Sequence, residues 1–338
     1  MLKILGLSRA LYYRWQQRRK LAQLEDLQPT PFDLHQVLPE EEEAVNEFAL
    51  EHPRDGYRRL TWMMVDEDIA YLKPTTVYRI LDKNNLLSRW KPSGSAGRKP
   101  PKPEAPHEQW HTDLMYLWIE SRWYFFVGVL DGYSRYIVHW DLLASMRADE
   151  VTDVIHEAVE KHPGMHPKIV HDNGTQFTGR EFRNLVKRFS LKQIRIRVHH
   201  PQSNGKIERF HRTLREEGLS DKTLVNQLQA RDIIGEWVEH YNRERLHAGI
   251  SYLTPEDLLA GRKEARIDER KKKLELGRQN RYLQNLKRRQ EELNCQRTES
   301  GALPPNPQDL PHCAESGSTK NRVLGGSNSE VMNRVSGQ

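Results

Sequence analysis

Between residues 40 and 90 apolar positions recur three and four apart, in "EEEAVNEFALEH", "GYRRLTWMMVDEDI" and "PTTVYRILDKNNLL", which predicts short amphipathic helices. In the last of these, Lys73-Pro74 closes a turn, and Thr75 or Thr76 caps a helix with Val77, Ile80 and Leu81 on one face. Tyr78 and Arg79 fall on the other side. An amphipathic helix followed by a tight turn and a second short helix suits a helix-turn-helix module, although helical domains without a nucleic-acid ligand share the pattern.

The period changes after residue 108. "HTDLMYLWIE", "RWYFFVGVLD" and "RYIVHWDLL" are rich in aromatic and branched residues, with "DGYS" as a turn between the last two, so they read as three antiparallel strands. "DEVTDVIHEAVEKH" returns to a helical period and ends at Pro163-Gly164. "KIVHDN" then reads as a strand, "GREFRNLVKRFS" as a helix and "KQIRIRV" as a strand, and "HHPQSNGKIERFHRTLREE" opens another helix. Three strands followed by alternating helix and strand predict an α/β fold with a mixed five-stranded sheet flanked by helices. Between the helical and mixed regions, residues 91–107 hold five prolines and four Lys/Arg, the composition of an extended linker.

The expected organisation is therefore a helical helix-turn-helix-like region over 1–90, a linker over 91–107 and a mixed-sheet core over 108–260. A charged helix follows over 261–297, and a disordered tail rich in Gly, Ser, Asn and Pro over 298–338. In the charged helix Leu276, Leu283, Leu286 and Leu293 fall at heptad spacing, interrupted by Gln279 and Gln290.

Composition narrows the classes. The chain has 338 residues and a net charge of +6, with 36% hydrophobic and 30% charged residues. Two cysteines at unrelated positions exclude a disulfide framework and argue against a cysteine-based zinc site. The longest apolar run is too short to span a bilayer, and no signal peptide is read at the N-terminus, so a cytoplasmic protein is expected. The charge is uneven: residues 178–217 hold eleven Lys/Arg against four Asp/Glu, and residues 262–292 twelve against six. Two concentrated basic regions point to a polyanionic partner more than solvated helix faces do.

Three acidic residues stand where such a sheet can gather them. Asp113 lies inside the first strand among apolar neighbours, where propensity and burial both disfavour it. Asp172 ends the fourth strand, where open sheets place ligand-binding groups. Glu208 lies on the helix after the fifth strand, off the apolar stripe of Ile207, Phe210 and Leu214 and beside Arg212. Alone, Glu208 is an ordinary surface partner of Arg212. As a set, three carboxylates suit hard divalent cations, two of which about 4 Å apart activate a hydroxyl nucleophile and stabilise a leaving oxygen in phosphodiester chemistry. Asp131, in "VLDGYSR", sits in a turn where Asp-Gly is locally favoured, and is read as structural.

With 35 residues between the last two carboxylates, the flanks "WHTDL", "HDNGTQF" and "HPQSNGKIERFHRTLREE" resemble the DDE catalytic core of retroviral integrases and insertion-sequence transposases, especially the OrfB type. "GYRRL…VYRIL" resembles that family's helix-turn-helix segment, and "YNRERLHAGISYLTP" the segment that closes its core. The resemblance implies an RNase H-like fold, a catalytic and metal-binding triad of Asp113, Asp172 and Glu208, and Mg²⁺ as the ion, two ions per site, with Mn²⁺ able to substitute. Asn173 and Gly174 would shape the turn beside Asp172. Gln202, Ser203, Asn204, Gly205 and Lys206 match the active-site loop and helix start; of these Gln202, Asn204 and Lys206, with Arg79 and Arg212, are the candidate DNA contacts.

The implied partners are the DNA of element terminal repeats and target, a homo-oligomer assembled on DNA, and the product of an upstream reading frame. The histidine–cysteine zinc module of retroviral integrases is absent, and the stretch after 262 departs from the family pattern. The expected activity is metal-dependent strand cleavage and transfer. The alternatives are a nuclease of the same fold without strand transfer and an element-encoded DNA-binding regulator.

Overall fold

The computed structural model describes residues 9–20, 33–87, 103–195 and 204–299. Residues 91–102 of the expected 91–107 linker, the end of the fifth predicted strand, Gln202, Ser203 and the tail from 300 lie outside the described residues.

After α1 (Arg9–Lys20), the N-terminal region forms α2 (Pro39–Glu51), α3 (Tyr57–Asp66) and α4 (Pro74–Lys83). Val45, Phe48, Leu60, Met64, Leu72, Val77, Ile80 and Leu81 bury against one another, and Tyr78 and Arg79 face solvent. The apolar period foretold this packing. The expected cap is corrected: Lys73 is the N-cap residue of α4, and Thr75 and Thr76 lie inside the helix. The reason is Pro74, whose fixed φ and missing N–H suit the first helical position and move the start ahead of the threonines.

The core is a five-stranded sheet in the order β3-β2-β1-β4-β5, made from β1 (Gln109–Ile119), β2 (Arg122–Asp131), β3 (Ile137–Leu143), β4 (Lys168–His171) and β5 (Lys192–Arg195). β1 pairs antiparallel with β2 along its length and parallel with β4 through Gln109↔Lys168, Trp110↔Ile169 and His111↔Val170. β4 pairs parallel with β5. Antiparallel hairpins joined to parallel crossovers make the mixed five-stranded sheet that the sequence pattern predicted.

Side-chain alternation sends β1 to two cores. Met115, Leu117 and Ile119 pack with Ile207, Phe210 and Leu214 and with Ile234, Val238 and Tyr241. These come from α8 (Gly205–Thr213), the π-helical turn Leu214–Leu219 that continues it, and α9 (Gln227–Arg243). On the other face Trp110 packs with α5 (Ala148–Glu160) and α7 (Arg180–Arg188), through Val151, Val154, Ile155, Phe182 and Leu185. A short α6 (Thr175–Thr178), which the sequence reading did not foresee, sits between β4 and α7.

Thr254 caps α10 (Pro255–Leu259) by accepting from Asp257 N, and α11 (Lys263–Glu299) follows. The first part of α11 lies on the N-terminal helices through polar groups. Arg270 grips Asp66 with two hydrogen bonds of 2.8 and 2.6 Å, Arg281 pairs with Glu41, and Asn285 donates to the carbonyls of Leu34 and Gln36. The heptad residues Leu276 and Leu283 are exposed, so the leucine spacing does not mark the buried face. No described helix is long and apolar enough to cross a membrane.

Candidate active site

Odd-numbered residues of β1 face α8, so Asp113 shares its side of the strand with His111 and Met115. Asp172 directly follows β4; counted from the paired His111↔Val170, Asp113 and Asp172 each lie two residues further along their parallel strands. Glu208 comes from α8, which packs on β1 through Ile207 and Phe210 and exposes Glu208 and Arg212.

The electrostatics tie the three carboxylates together. Burial pushes the Asp113 carboxyl up to about 7, and the charges of Asp172 and Glu208 add to that shift against a hydrogen bond from the Leu114 backbone. Desolvation also raises Glu208. Asp172 is exposed, and its Oδ1 accepts from Gly174 N at 2.9 Å, which holds the turn after β4. The set is chemically suited to a hard divalent cation, being all carboxylate oxygen with one member left costly to ionise. It is not drawn closed: among the described residues no three His, Cys, Asp or Glu stand at metal-holding spacing.

Two histidines join this site that the sequence reading passed over. His211 is buried, with Nδ1 3.8 Å from Asp113 Oδ2, its ring edge-on to Phe126 and its Nε2 without a hydrogen-bond partner. Burial and the nearby Arg215 hold it down at about 3, so the ring is neutral at ordinary pH. His111 is likewise buried and held at about 3, by desolvation first and by Lys206 second. Strand parity was the available signal for His111, two residues from Asp113 and so on its face. For His211 it was the three-residue step from Glu208 along a helix.

The candidate DNA contacts divide. Arg79 and Arg212 are exposed, and Lys206 is half-buried with Nζ 3.3 Å from His111 Nε2. Asn204 is 4% exposed, and its amide is turned inward onto β1. Gln202 falls outside the described residues. Asp131 is structural as expected: fully buried, it accepts from His107 N and from both N and Oγ of Ser134, fixing the turn after β2.

Residues 103–201 and 190–255 each match a family described as integrase core domain. The chain is similar to the transposase for insertion sequence element IS904 of Lactococcus lactis, 28% identical over 46% of this chain and 62% of that protein, so it spans somewhat under two thirds of that relative. The putative transposase InsK for IS150 of Escherichia coli is 25% identical over 60% of this chain and 76% of that protein. Among solved structures, the HTLV-2 integrase catalytic core domain in complex with magnesium aligns at a TM-score of 0.38 and 15% identity, over 46% of this chain and 99% of that one.

Proposed function

We propose, from the premise that this chain carries the integrase core domain of insertion-sequence transposases, that it is a DDE-type polynucleotidyl transferase that cleaves DNA at element ends and joins them to a target. The observation that supports the reading is Asp113 desolvated inside β1, with the charges of Asp172 and Glu208 adding to the rise that burial gives its carboxyl. Three carboxylates carried by β1, by the turn after β4 and by α8, one of them desolvated, make a set that a divalent cation would stabilise.

In this reading Asp113, Asp172 and Glu208 hold the metal, with Mg²⁺ the expected ion, two ions the expected number and Mn²⁺ a substitute. When bound, the metal supplies Lewis-acid activation of the attacking hydroxyl and neutralises charge on the phosphate. The rest falls to side chains of the chain itself. Arg212, exposed one turn beyond Glu208, and Lys206 at the start of the same helix offer cations to the DNA backbone, as does Arg79 on α4. His211, its ring edge-on to Phe126, stands 3.8 Å from Asp113 and lines that side of the carboxylate. The implied DNA partners are element terminal repeats and target, the implied assembly is a homo-oligomer on DNA, and an upstream reading-frame product is a further candidate partner. The domain limits at 90, 107, 260 and 297 belong to the same proposal.

The test is joining of a 3′-hydroxyl DNA end to a target duplex, with and without divalent cation. Metal-dependent joining that disappears in Asp113→Asn supports the reading. Undiminished joining in that variant sinks it, and cutting without joining favours the nuclease alternative.

A further inference from the structure

Asn204 is the N-cap residue of the helix that carries Glu208: its carbonyl accepts from Ile207 N at 3.0 Å and from Glu208 N at 3.2 Å. Asn is among the best capping side chains, accepting from the second or third helical N–H. Here it makes no side-chain cap hydrogen bond. Its amide spans to the neighbouring strand instead, with Oδ1 3.3 Å from His111 Nδ1 and Nδ2 donating to Thr112 O at 3.4 Å. A helix start that leaves its best cap unused has its amide committed elsewhere.

The proton directions of this cluster follow from chemistry. The Lys206 ammonium can only donate, so His111 Nε2, 3.3 Å away, accepts. A neutral imidazole then carries its hydrogen on Nδ1 and donates it to Asn204 Oδ1. That orients the Asn204 amide with its NH₂ towards the Thr112 carbonyl, the acceptor it meets. His111 and Asn204 are both buried, and the His111 ring rests against the backbone of the turn after β2: a Cβ placed on Gly132 would lie 3.0 Å from two ring atoms and from Gln109 O. That turn is the one fixed by the buried Asp131.

We propose that His111 and Asn204 are positioning residues: together they latch the first turn of α8 to the backbone beside Asp113, and so set where Glu208 and the Lys206 ammonium stand relative to that carboxylate. The inference rests on the triad reading above. Glu208 lies one helical turn after Asn204, so the latch acts on the helix register that presents it. A helix tied at its start by one side-chain bridge holds a carboxylate more narrowly than packing of the apolar stripe alone, and catalytic groups tolerate little displacement.

The experiment uses the full chain and three variants. Asn204→Ala removes the bridge. His111→Gln keeps an acceptor near the Nε2 position but loses the Nδ1 donor, whereas His111→Asn keeps a donor near Nδ1 and loses only the Lys206 contact. Amide hydrogen exchange over residues 204–214 is read first, in the absence of metal. It is expected to rise about tenfold in Asn204→Ala and His111→Gln and to stay near wild type in His111→Asn. Strand-transfer kcat is expected to follow the same order, falling about tenfold with KM for the DNA end unchanged. Wild-type exchange and kcat in Asn204→Ala overturn the latch, as does a His111→Asn variant no better than His111→Gln. Asp113→Asn, run alongside, separates the two readings: retained transfer there removes the triad, while its loss beside unaffected latch variants removes only the latch.

Discussion

Asp113 and His211 meet across the interface between β1 and α8, with Oδ2 3.8 Å from Nδ1. At that separation no hydrogen bond forms, and the neutral ring supplies no compensating charge. The desolvated carboxyl therefore keeps a proton up to about pH 7 when no cation is bound.

Replacing it with the neutral amide should accordingly stabilise the fold while removing the chemistry. The ordinary value is 3.8 and the folded value about 7, so between them the folded chain holds a proton that the unfolded chain has lost. The contribution is fully present below the lower value and is lost as pH rises through 7. Without divalent cation, Asp113→Asn is expected to gain on the order of 2 kcal/mol over wild type at pH 8 and much less at pH 5, by denaturant unfolding. Strand transfer should fall by about 10³-fold or more. A variant less stable than wild type at pH 8 contradicts the assigned burial.

Acid should act in the opposite sense through the histidines. His111, His211 and His247 each sit at about 3, against an ordinary 6.5. Their stability contribution is present above 6.5 and lost as pH falls towards 3, because the unfolded chain takes up protons that the buried rings refuse. His211→Phe is expected to flatten the fall of stability below pH 6.5 by about one proton, roughly 1.4 kcal/mol per pH unit at its steepest. Parallel curves for the two proteins would show that His211 is charged in the native state.

Asp131 offers the control for a structural carboxylate. It is fully buried on three hydrogen bonds of 2.7–2.8 Å, so Asp131→Ala should cost on the order of 3 kcal/mol. Transfer per folded molecule should change far less than in Asp113→Asn. Equal catalytic loss in the two variants, after correction for folded fraction, would place Asp131 in the chemistry.

Gly277 faces the N-terminal helices so closely that an added Cβ would lie 2.5 Å from Tyr71 Cβ and 2.9 Å from Tyr71 O. Helix propensity alone predicts that Gly277→Ala gains about 1 kcal/mol. The close approach predicts instead a loss of about 1–3 kcal/mol, because backbone must move. Thermal unfolding decides the sign, and a higher melting temperature would mean that α11 does not lie against Tyr71 in solution.

If Arg79 and Arg212 each neutralise one phosphate, changing either to Ala should reduce the slope of log affinity against log salt by about one and weaken binding on all sequences alike. Fluorescence anisotropy across a salt series measures this. An unchanged slope removes that arginine from the interface.

Much of this was legible because apolar periodicity reports burial directly. The β1 alternation, the α4 face of Val77, Ile80 and Leu81, and the α8 stripe of Ile207, Phe210 and Leu214 all bury as their spacing requires. Periodicity is blind where a buried face is polar. The side of α11 against the N-terminal helices is Arg270, Arg281 and Asn285, covered by partners such as Asp66 and Glu41 from distant sequence, while Leu276 and Leu283 look outward. The placement of Asn204, given as a candidate DNA contact, was hidden for a related reason: its amide is engaged by His111 and Thr112, more than ninety residues earlier in the chain.

The placement of β1 has a kinetic corollary. It is laddered to β2 from end to end and to β4 as far as His111, so the main chain at Asp113 is a fixed post. If the proposed acidic trio draws together, the displacement falls on the two arms outside that ladder, the turn after β4 and the helix bearing Glu208, the latter only as far as its tie to Thr112 allows. Substitutions that retune the tempo of assembly without touching the reacting groups should therefore cluster on those arms and leave the post untouched.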